Sequence, residues 1–99
     1  MQIFFHADSI AHVKDAIDNV LKGLALPVVV RTQATLSELI VTIQKLGTSY
    51  LTFSATMCDD GIRFDLTHEE VSFVHKSSID YVKIQVQDII VKAGGTICT

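Results

Sequence analysis

Apolar and polar residues follow two different periods along this chain, and each period predicts a different kind of element. Residues 2–6 are apolar on both faces of a short extended run, which is typical of an interior strand. Asp8 or Ser9 then caps a helix whose apolar positions recur every three to four residues. These positions are Ile10, Val13, Ile17, Val20 and Leu21. We predict a strand followed by an amphipathic helix, which Gly23 ends in a left-handed conformation.

The next segment predicts a second strand and a second helix. Residues 28–30 are three consecutive valines, and such a run of β-branched residues favours a buried strand. Thr35 and Glu38 form a Thr-x-x-Glu sequence, the signature of a helix capping box. Apolar residues then recur at helical spacing and stop before Gly47; they are Leu36, Leu39, Ile40, Ile43 and Leu46. We predict a helix here, and a right-handed crossover for the β-α-β start.

The middle of the chain alternates with a period of two, which indicates half-exposed strands. The polar set of the first such strand consists of Tyr50, Thr52, Ser54 and Thr56. The dipeptide Asp60-Gly61 is typical of a tight hairpin turn. A two-residue turn there pairs Met57 with Phe64 and Thr56 with Asp65. Residues 68–70 then predict a polar turn, and residues 71–75 predict the third strand of this meander.

Residues 79–93 fit either a strand or a helix, because Val82, Ile84 and Val86 alternate while a longer apolar stripe has helical spacing. The length of the segment, a cap formed by Ser77 with Asp80, and the Gly-Gly pair at 94–95 favour the helix. The tail, residues 95–99, is expected to fray.

The two ends of the chain resemble each other. Without a gap, the identical pairs are Phe4/Phe73, His6/His75, Ser9/Ser78, Ile10/Ile79, Val13/Val82 and Lys14/Lys83. Two explanations stay open: an internal duplication, or the same strand-to-helix physics used twice. Both favour a helix after residue 78.

Together these elements predict a single α+β domain over residues 1–99, in the order β-α-β-α-β-β-β-α. The expected architecture is a two-layer sandwich, a mixed five-stranded sheet with its helices mainly on one face. Apolar residues make up 48% of the chain and charged residues 19%, so the chain is not of the disordered class. The mean hydropathy of +0.39 hints at apolar surface that a partner or a second copy covers.

Composition also narrows the environment and the partners. The longest apolar run, residues 24–30, is far shorter than the roughly 20 residues that a membrane span needs. Cys58 and Cys98 lack metal or redox spacing, so we expect free thiols and a cytoplasmic protein. The net charge of −3 disfavours binding to a nucleic-acid backbone.

Catalytic signatures do not emerge from the sequence. We find no nucleophile elbow, no glycine-rich phosphate loop and no His-Glu-x-x-His helix, so we expect no enzyme activity and no cofactor. His6 and His75 each precede a helix, where a neutral imidazole that caps the first turn is the favoured interpretation. As the weaker alternative, strand pairing brings them together as a metal site, which leaves a small metal-assisted hydrolase as the third functional hypothesis.

The best candidate surface is the polar face of the predicted hairpin. It comprises Tyr50, Thr52, Ser54, Thr56, Arg63 and Asp65. Small hydroxyl side chains make such a face flat, with Tyr50 and Arg63 as anchors for a partner; an ordinary solvated strand face explains it equally well. The leading hypothesis is a non-catalytic binding or regulatory protein that uses this face or a strand edge, with another protein or as a homodimer. The alternative is a nucleic-acid-binding regulator that uses Arg63, Lys76 and Tyr50 on the same face.

Overall fold

The computed structural model describes residues 1–24, 29–44, 47–72, 76 and 79–98. These residues form six strands and two helices in the order β-α-β-β-β-β-α-β. The elements are β1 (Gln2–Phe5), α1 (Ile10–Lys22), β2 (Val29–Ala34), β3 (Glu38–Gln44), β4 (Thr48–Cys58), β5 (Gly61–Glu70), α2 (Ile79–Lys92) and β6 (Thr96–Cys98). The α+β class is therefore confirmed, whereas the predicted element order is wrong.

The six described strands form one sheet in the order β2-β3-β4-β5-β1-β6. The sheet therefore has six described strands instead of the predicted five. Every pairing between them is antiparallel, and the predicted mixture of parallel and antiparallel strands is not confirmed. β1 lies between β5 and β6, as expected for a strand that is apolar on both faces. The predicted parallel crossover is absent from the described strands because β1 and β2 lie apart in the sheet.

Both helices contribute to the core on one face of the sheet. Alternate strand residues are buried with the inner faces of α1 and α2, in a cluster that includes Ile3, Phe5, Ile10, Val13, Ile17, Leu39, Val41, Ile43, Leu51, Phe53, Ile62, Phe64, Val86, Ile89 and Ile90. The apolar residues that recur every second position in the strands and about every 3.6 positions in the helices therefore meet on the same side of the sheet. The residues between the buried strand positions point to the other side.

The two helices have different ends. Ser9 is the N-cap of α1, where its Oγ accepts a hydrogen bond from the backbone N–H of His12. Gly23 ends α1 in a right-handed conformation with φ −89°, so the predicted left-handed cap is wrong. The left-handed cap occurs at the end of α2 instead, at Gly94 with φ +106°. There the N–H groups of Gly94 and Gly95 bond back to the last carbonyls of the helix, as in a Schellman motif.

The second predicted helix does not form, because residues 38–44 are strand β3. Ile40, Val41, Thr42 and Ile43 are four consecutive β-branched residues, and strand packing outweighs their helical spacing. The capping-box residue Thr35 still acts as a cap, but of a turn: its Oγ1 accepts a hydrogen bond from Glu38 N–H in the β2–β3 hairpin. Leu36, predicted to be on the apolar stripe, is 103% exposed at that turn.

The β4–β5 hairpin has the predicted faces and a shifted register. Cys58 pairs with Gly61, so the turn residues are Asp59 and Asp60. The shift of two residues conserves the side-chain parity, and for this reason the two faces are as expected. The predicted opposition of Thr56 to Asp65 is wrong, because Thr56 lies opposite Arg63.

Two further predictions at the end of the chain are wrong. Residues 68–70 continue β5 instead of forming a turn, and a bulge opposite Thr52 and Phe53 lets the strand extend to Glu70. Residues 71–72 of the predicted third strand are not in a strand, and its residues 73–75 lie outside the described residues. Ser77, predicted to cap α2, and Ser78, part of the similarity between the two ends of the chain, also lie outside them. The tail does not fray: Thr96–Cys98 pairs with β1 as an outer strand of the sheet.

Candidate functional site

We call the side of the sheet opposite the helices the open face. It is formed by strand residues that alternate with the core positions, and neither described helix packs on it. Two neighbouring strands, β4 and β5, supply its centre. The open face is therefore the surface on which the residues singled out from the sequence have to be judged.

All six residues predicted for the binding surface lie on the open face. Ser54 is opposite Asp65, and Thr56 is opposite Arg63, so these four form a block across β4 and β5. Thr52 and Tyr50 continue the same face along β4. The structure thus brings the predicted residues together, in a slightly different pairing from that expected.

Polar contacts within this block satisfy much of its charge. Arg63 Nε donates to Asp65 Oδ2 at 3.3 Å. The hydroxyls of Ser54 and Thr67 are 3.1 Å apart, and the Thr67 hydroxyl also donates to the backbone carbonyl of Thr52. Thr67 is the extra residue of the β5 bulge, which the alternation in the sequence does not show. The result is a flat, polar surface with little net charge.

A shallow hollow extends the open face from Tyr50 toward β2. It has a volume of about 320 Å³ and is lined by Arg31, Thr32, Gln33, Thr42, Gln44 and Tyr50. Sequence reasoning missed the two β3 residues because it placed them in a helix. The run of β-branched residues at 40–43 was the signal that points to a strand, and hence to Thr42 beside Tyr50.

The open face carries a second aromatic residue. Phe4 lies between the buried residues Ile3 and Phe5 of β1, so its side chain is on the side away from the core. Its ring meets that of His6 edge to face, with centroids 4.9 Å apart. Phe4 and Tyr50 thus place aromatic surface on two separate strands of the open face.

His6 does not cap α1, contrary to the favoured interpretation of its position. Its Nδ1 lies 3.1 Å from the backbone carbonyl of Asp60, so it bonds the tip of the β4–β5 hairpin. Since a carbonyl only accepts, this contact requires the proton to be on Nδ1. His75 lies outside the described residues, and the proposed His6–His75 pair is not tested.

A cleft lies between the β1–α1 junction and the β4–β5 turn. Its volume is about 650 Å³, and its polar lining consists of His6, Asp8, His12, Cys58, Asp59 and Asp60. Within the described part of the chain, no group of three or more His, Cys, Asp or Glu residues is arranged to hold a metal ion. Cys58 and Cys98 are free thiols. No specific observation therefore favours the metal-assisted hydrolase.

A groove between α1 and β2 holds the carboxylate of Asp18. Asp18 accepts hydrogen bonds from Lys14 Nζ and Thr32 Oγ1, both at 2.5 Å. Burial raises the pKa of Asp18, but the bonds from Lys14 and Thr32 and the charges of Lys14 and Lys22 outweigh it, so the pKa is lowered. This cluster joins the helix to the sheet, and its groups are engaged with one another.

Comparisons with protein families, with curated proteins and with solved structures found no match for this chain. Among the described residues, no helix is both long and apolar enough to cross a membrane. The fold and the surfaces above define a small α+β domain with one open sheet face.

Proposed function

We propose that this chain is a small binding or regulatory protein that acts through protein contacts on the open face, without catalysis. The observation that carries the proposal is the uncovered central block of β4 and β5, formed by hydroxyls and one internal ion pair. In an antiparallel sheet one face is commonly left to solvent, and polar groups that already have partners within the block, such as the Ser54 and Thr67 hydroxyls, cost less to bury than unpaired ones.

The candidate anchors are Tyr50 and Arg63, which flank the small hydroxyl residues. Both are exposed, and Tyr and Arg are the residue types that contribute most to binding energy in protein interfaces. Arg63 has an intramolecular partner in Asp65, which restrains its side chain before a partner arrives. We place this activity in the cytoplasm, in keeping with two free thiols.

The test is a pull-down of the tagged protein from the lysate of its own host, with and without nuclease. One dominant protein that survives nuclease, and that is lost in Arg63→Glu, is the expected result. Lys92→Glu is the matched control, because it makes the same charge change at an exposed position of α2. A partner retained equally by both variants would place binding elsewhere and contradict the proposal.

Single-stranded nucleic acid is the second candidate ligand for the same face. The pair of aromatic residues Phe4 and Tyr50, with Arg31 and Arg63 on the same side, supplies stacking surfaces and positive charge. The net charge of −3 weighs against it. Binding of a labelled oligonucleotide that weakens with salt and with Tyr50→Ala would favour this candidate, whereas salt-independent binding would exclude it.

A further inference from the structure

The backbone groups on the outer edge of β2 have no strand partner within the described part of the chain. β2 is the first strand of the sheet, and β3 is its only strand neighbour among the described residues. The N–H of Thr35 bonds the carbonyl of Glu38, which fixes the alternation of hydrogen-bonded pairs along the hairpin. Val29, Arg31 and Gln33 therefore bond to β3. The N–H and C=O groups of Val30, Thr32 and Ala34 point to the free edge.

This edge lacks two of the usual protections against pairing with another strand, a short length and a bulge. It is six residues long, and its pairing with β3 is continuous, with no bulge between Val29 and Ala34. Outer strands that stay unpaired are commonly short, bulged or charged. The one charged residue of β2 is Arg31, whose side chain is exposed on the open face. The other outer strand, β6, has only three residues. The β2 edge is therefore the one that favours strand addition.

We propose that β2 pairs antiparallel with β2 of a second copy, about a two-fold axis at Thr32. This inference goes beyond the proposed function, since it uses the edge of the sheet instead of the open face and names a second copy as the partner. Thr32 then lies opposite Thr32 of the second copy, and Val30 lies opposite its Ala34. Each of these pairs exchanges two backbone hydrogen bonds, so about six new bonds form along the joined edge.

Length and charge together select this register among those that keep the side chains on their own faces. Axes at Thr32 and at Arg31 pair five of the six residues of β2, more than the axes at Val30 or Gln33 do, and charge decides between these two. Because side chains alternate along a strand, sliding one strand by a single residue would put the core-facing side chains of one copy opposite the open-face side chains of the other. An axis at Arg31 sets two arginines directly opposite each other, which is repulsive. With the axis at Thr32, Arg31 lies opposite Gln33 of the second copy, and no like charges of β2 oppose each other.

The apolar residues near this edge agree with the two-fold arrangement. Val29 is 49% exposed at the start of β2, and Leu36 is 103% exposed in the turn that follows it. Antiparallel pairing places Val29 of one copy opposite Thr35 of the other, beside its Leu36. Because the axis is two-fold, this apolar contact occurs twice, once at each end of the joined strands.

The first experiment measures the dimer dissociation constant by sedimentation equilibrium for the full chain and two variants at Gln33. Gln33→Glu places a carboxylate opposite Arg31 of the second copy, so the dimer should bind more tightly. We expect its dissociation constant to fall by about three- to tenfold. Gln33→Arg places like charges there, and we expect the opposite change. Gln33 is exposed, so equal thermal unfolding of both variants as dilute monomers controls for the fold.

The second experiment tests the register by disulfide cross-linking in a Cys58→Ser, Cys98→Ser background. An equimolar mixture of Arg31→Cys and Gln33→Cys chains should form disulfide-linked heterodimers. Gln33→Cys alone, which keeps Arg31, should cross-link poorly, because identical positions lie two residues out of register, beyond the reach of a disulfide. Ser54→Cys, in the middle of the open face, is the control that should remain uncrosslinked.

A chain that stays monomeric at the highest attainable concentration would overturn this inference. Equal cross-linking in the mixture and in Ser54→Cys would overturn it as well. So would two Gln33 variants that change the dissociation constant in the same direction. Its failure is distinguishable from that of the proposed function, because capture of another protein through Arg63 does not depend on β2. Conversely, dimerisation that continues in Arg63→Glu separates the edge from the open face.

Discussion

At the scale of single residues, the most informative interactions are those that join elements distant in sequence. Asp18 is on α1, yet its carboxylate bonds Thr32 of β2 as well as Lys14 one turn earlier on the helix. Charge-assisted hydrogen bonds of this kind are stronger than neutral ones, although partial exposure to solvent weakens them. Asp18 thereby fixes the position of α1 against the outer strand of the sheet.

Asp18→Asn should lower the free energy of unfolding at pH 7 by about 1 kcal/mol, because the carboxylate loses its charge-assisted bonds. The pKa of Asp18 is lowered from its ordinary value of 3.8. Its contribution is thus fully present above that ordinary value and is lost as the pH falls through the lower, folded-state pKa. Urea unfolding of wild type and variant should therefore differ less at acid pH than at pH 7.

Asp15→Asn is the matched control, since Asp15 is exposed on the same helix. Its unfolding free energy should stay within about 0.5 kcal/mol of the wild-type value. An Asp18→Asn effect that persists unchanged at low pH would contradict the assigned role of the carboxylate.

Gly61 shows how backbone proximity constrains a residue. A Cβ at this position would lie 2.1 Å from the Phe5 carbonyl oxygen and 2.7 Å from the Phe4 ring. Gly61→Ala should therefore cost about 2 kcal/mol or more of unfolding free energy, since β1 and β5 would have to separate. The measurement is the denaturant midpoint.

Gly23→Ala gives the contrasting result. The nearest atom to a Cβ there is the Val20 carbonyl oxygen at 3.7 Å, and the backbone is right-handed. Its stability should be unchanged or slightly raised, because alanine restricts the unfolded chain. Equal losses for both glycines would rule out the close approach as the cause.

At the scale of elements, strand pairing decides two segments against their local signals. β3 carries a helical apolar spacing and a capping sequence, but both of its neighbours are strands that bury Leu39, Val41 and Ile43 by alternation. β6 is too short to be stable alone, and its pairing with β1 supplies the hydrogen bonds that hold it. In both cases tertiary contacts outweigh local propensity.

Lysine substitutions on the two faces of β6 test its place in the sheet. Ile97 packs against the core, whereas Thr96 is exposed. We expect Ile97→Lys to lower the free energy of unfolding by about 2 kcal/mol, because it buries a charge, and Thr96→Lys to change it by less than about 0.5 kcal/mol. Equal, negligible effects in denaturant unfolding would show that the tail is frayed.

At the scale of the whole molecule, one sheet separates a helix-covered side from an open side. The core lies between the helices and the inner face, and no described helix covers the outer face. The sheet also has two different ends, a long outer strand β2 and a short outer strand β6. Face and edge are thus separate surfaces for separate contacts.

Amide hydrogen exchange should reflect this layout. The slowest amides should lie in the central strands β4 and β5, which have hydrogen-bonded neighbours on both sides. In dilute protein the amides of Val30, Thr32 and Ala34 should exchange quickly, because they point to the free edge. Their protection should rise with protein concentration, whereas rapid exchange at all concentrations would contradict strand pairing between copies.

Part of this molecule follows from the sequence alone because the information is local. Helix α1 and the faces of β4 and β5 follow from periodicity, and α2 follows from the length of its segment and the Gly-Gly pair at its end. All six predicted residues of the open face therefore lie on one side of the sheet, as expected. A register shift of two residues leaves every side chain of a strand on the same face of the sheet. The polar composition of the open face was therefore predictable even though the hairpin pairing was not.

The rest was decided by the tertiary structure, because it depends on which segments meet. Whether residues 38–44 become helix or strand depends on the neighbours that β2 and β4 provide, and the strand β6 exists only because β1 has a free side to pair with. The same holds for the hollow beside Tyr50 and for the free edge of β2. Local pattern determined the faces of the elements, and long-range pairing determined their order, which no residue spacing encodes.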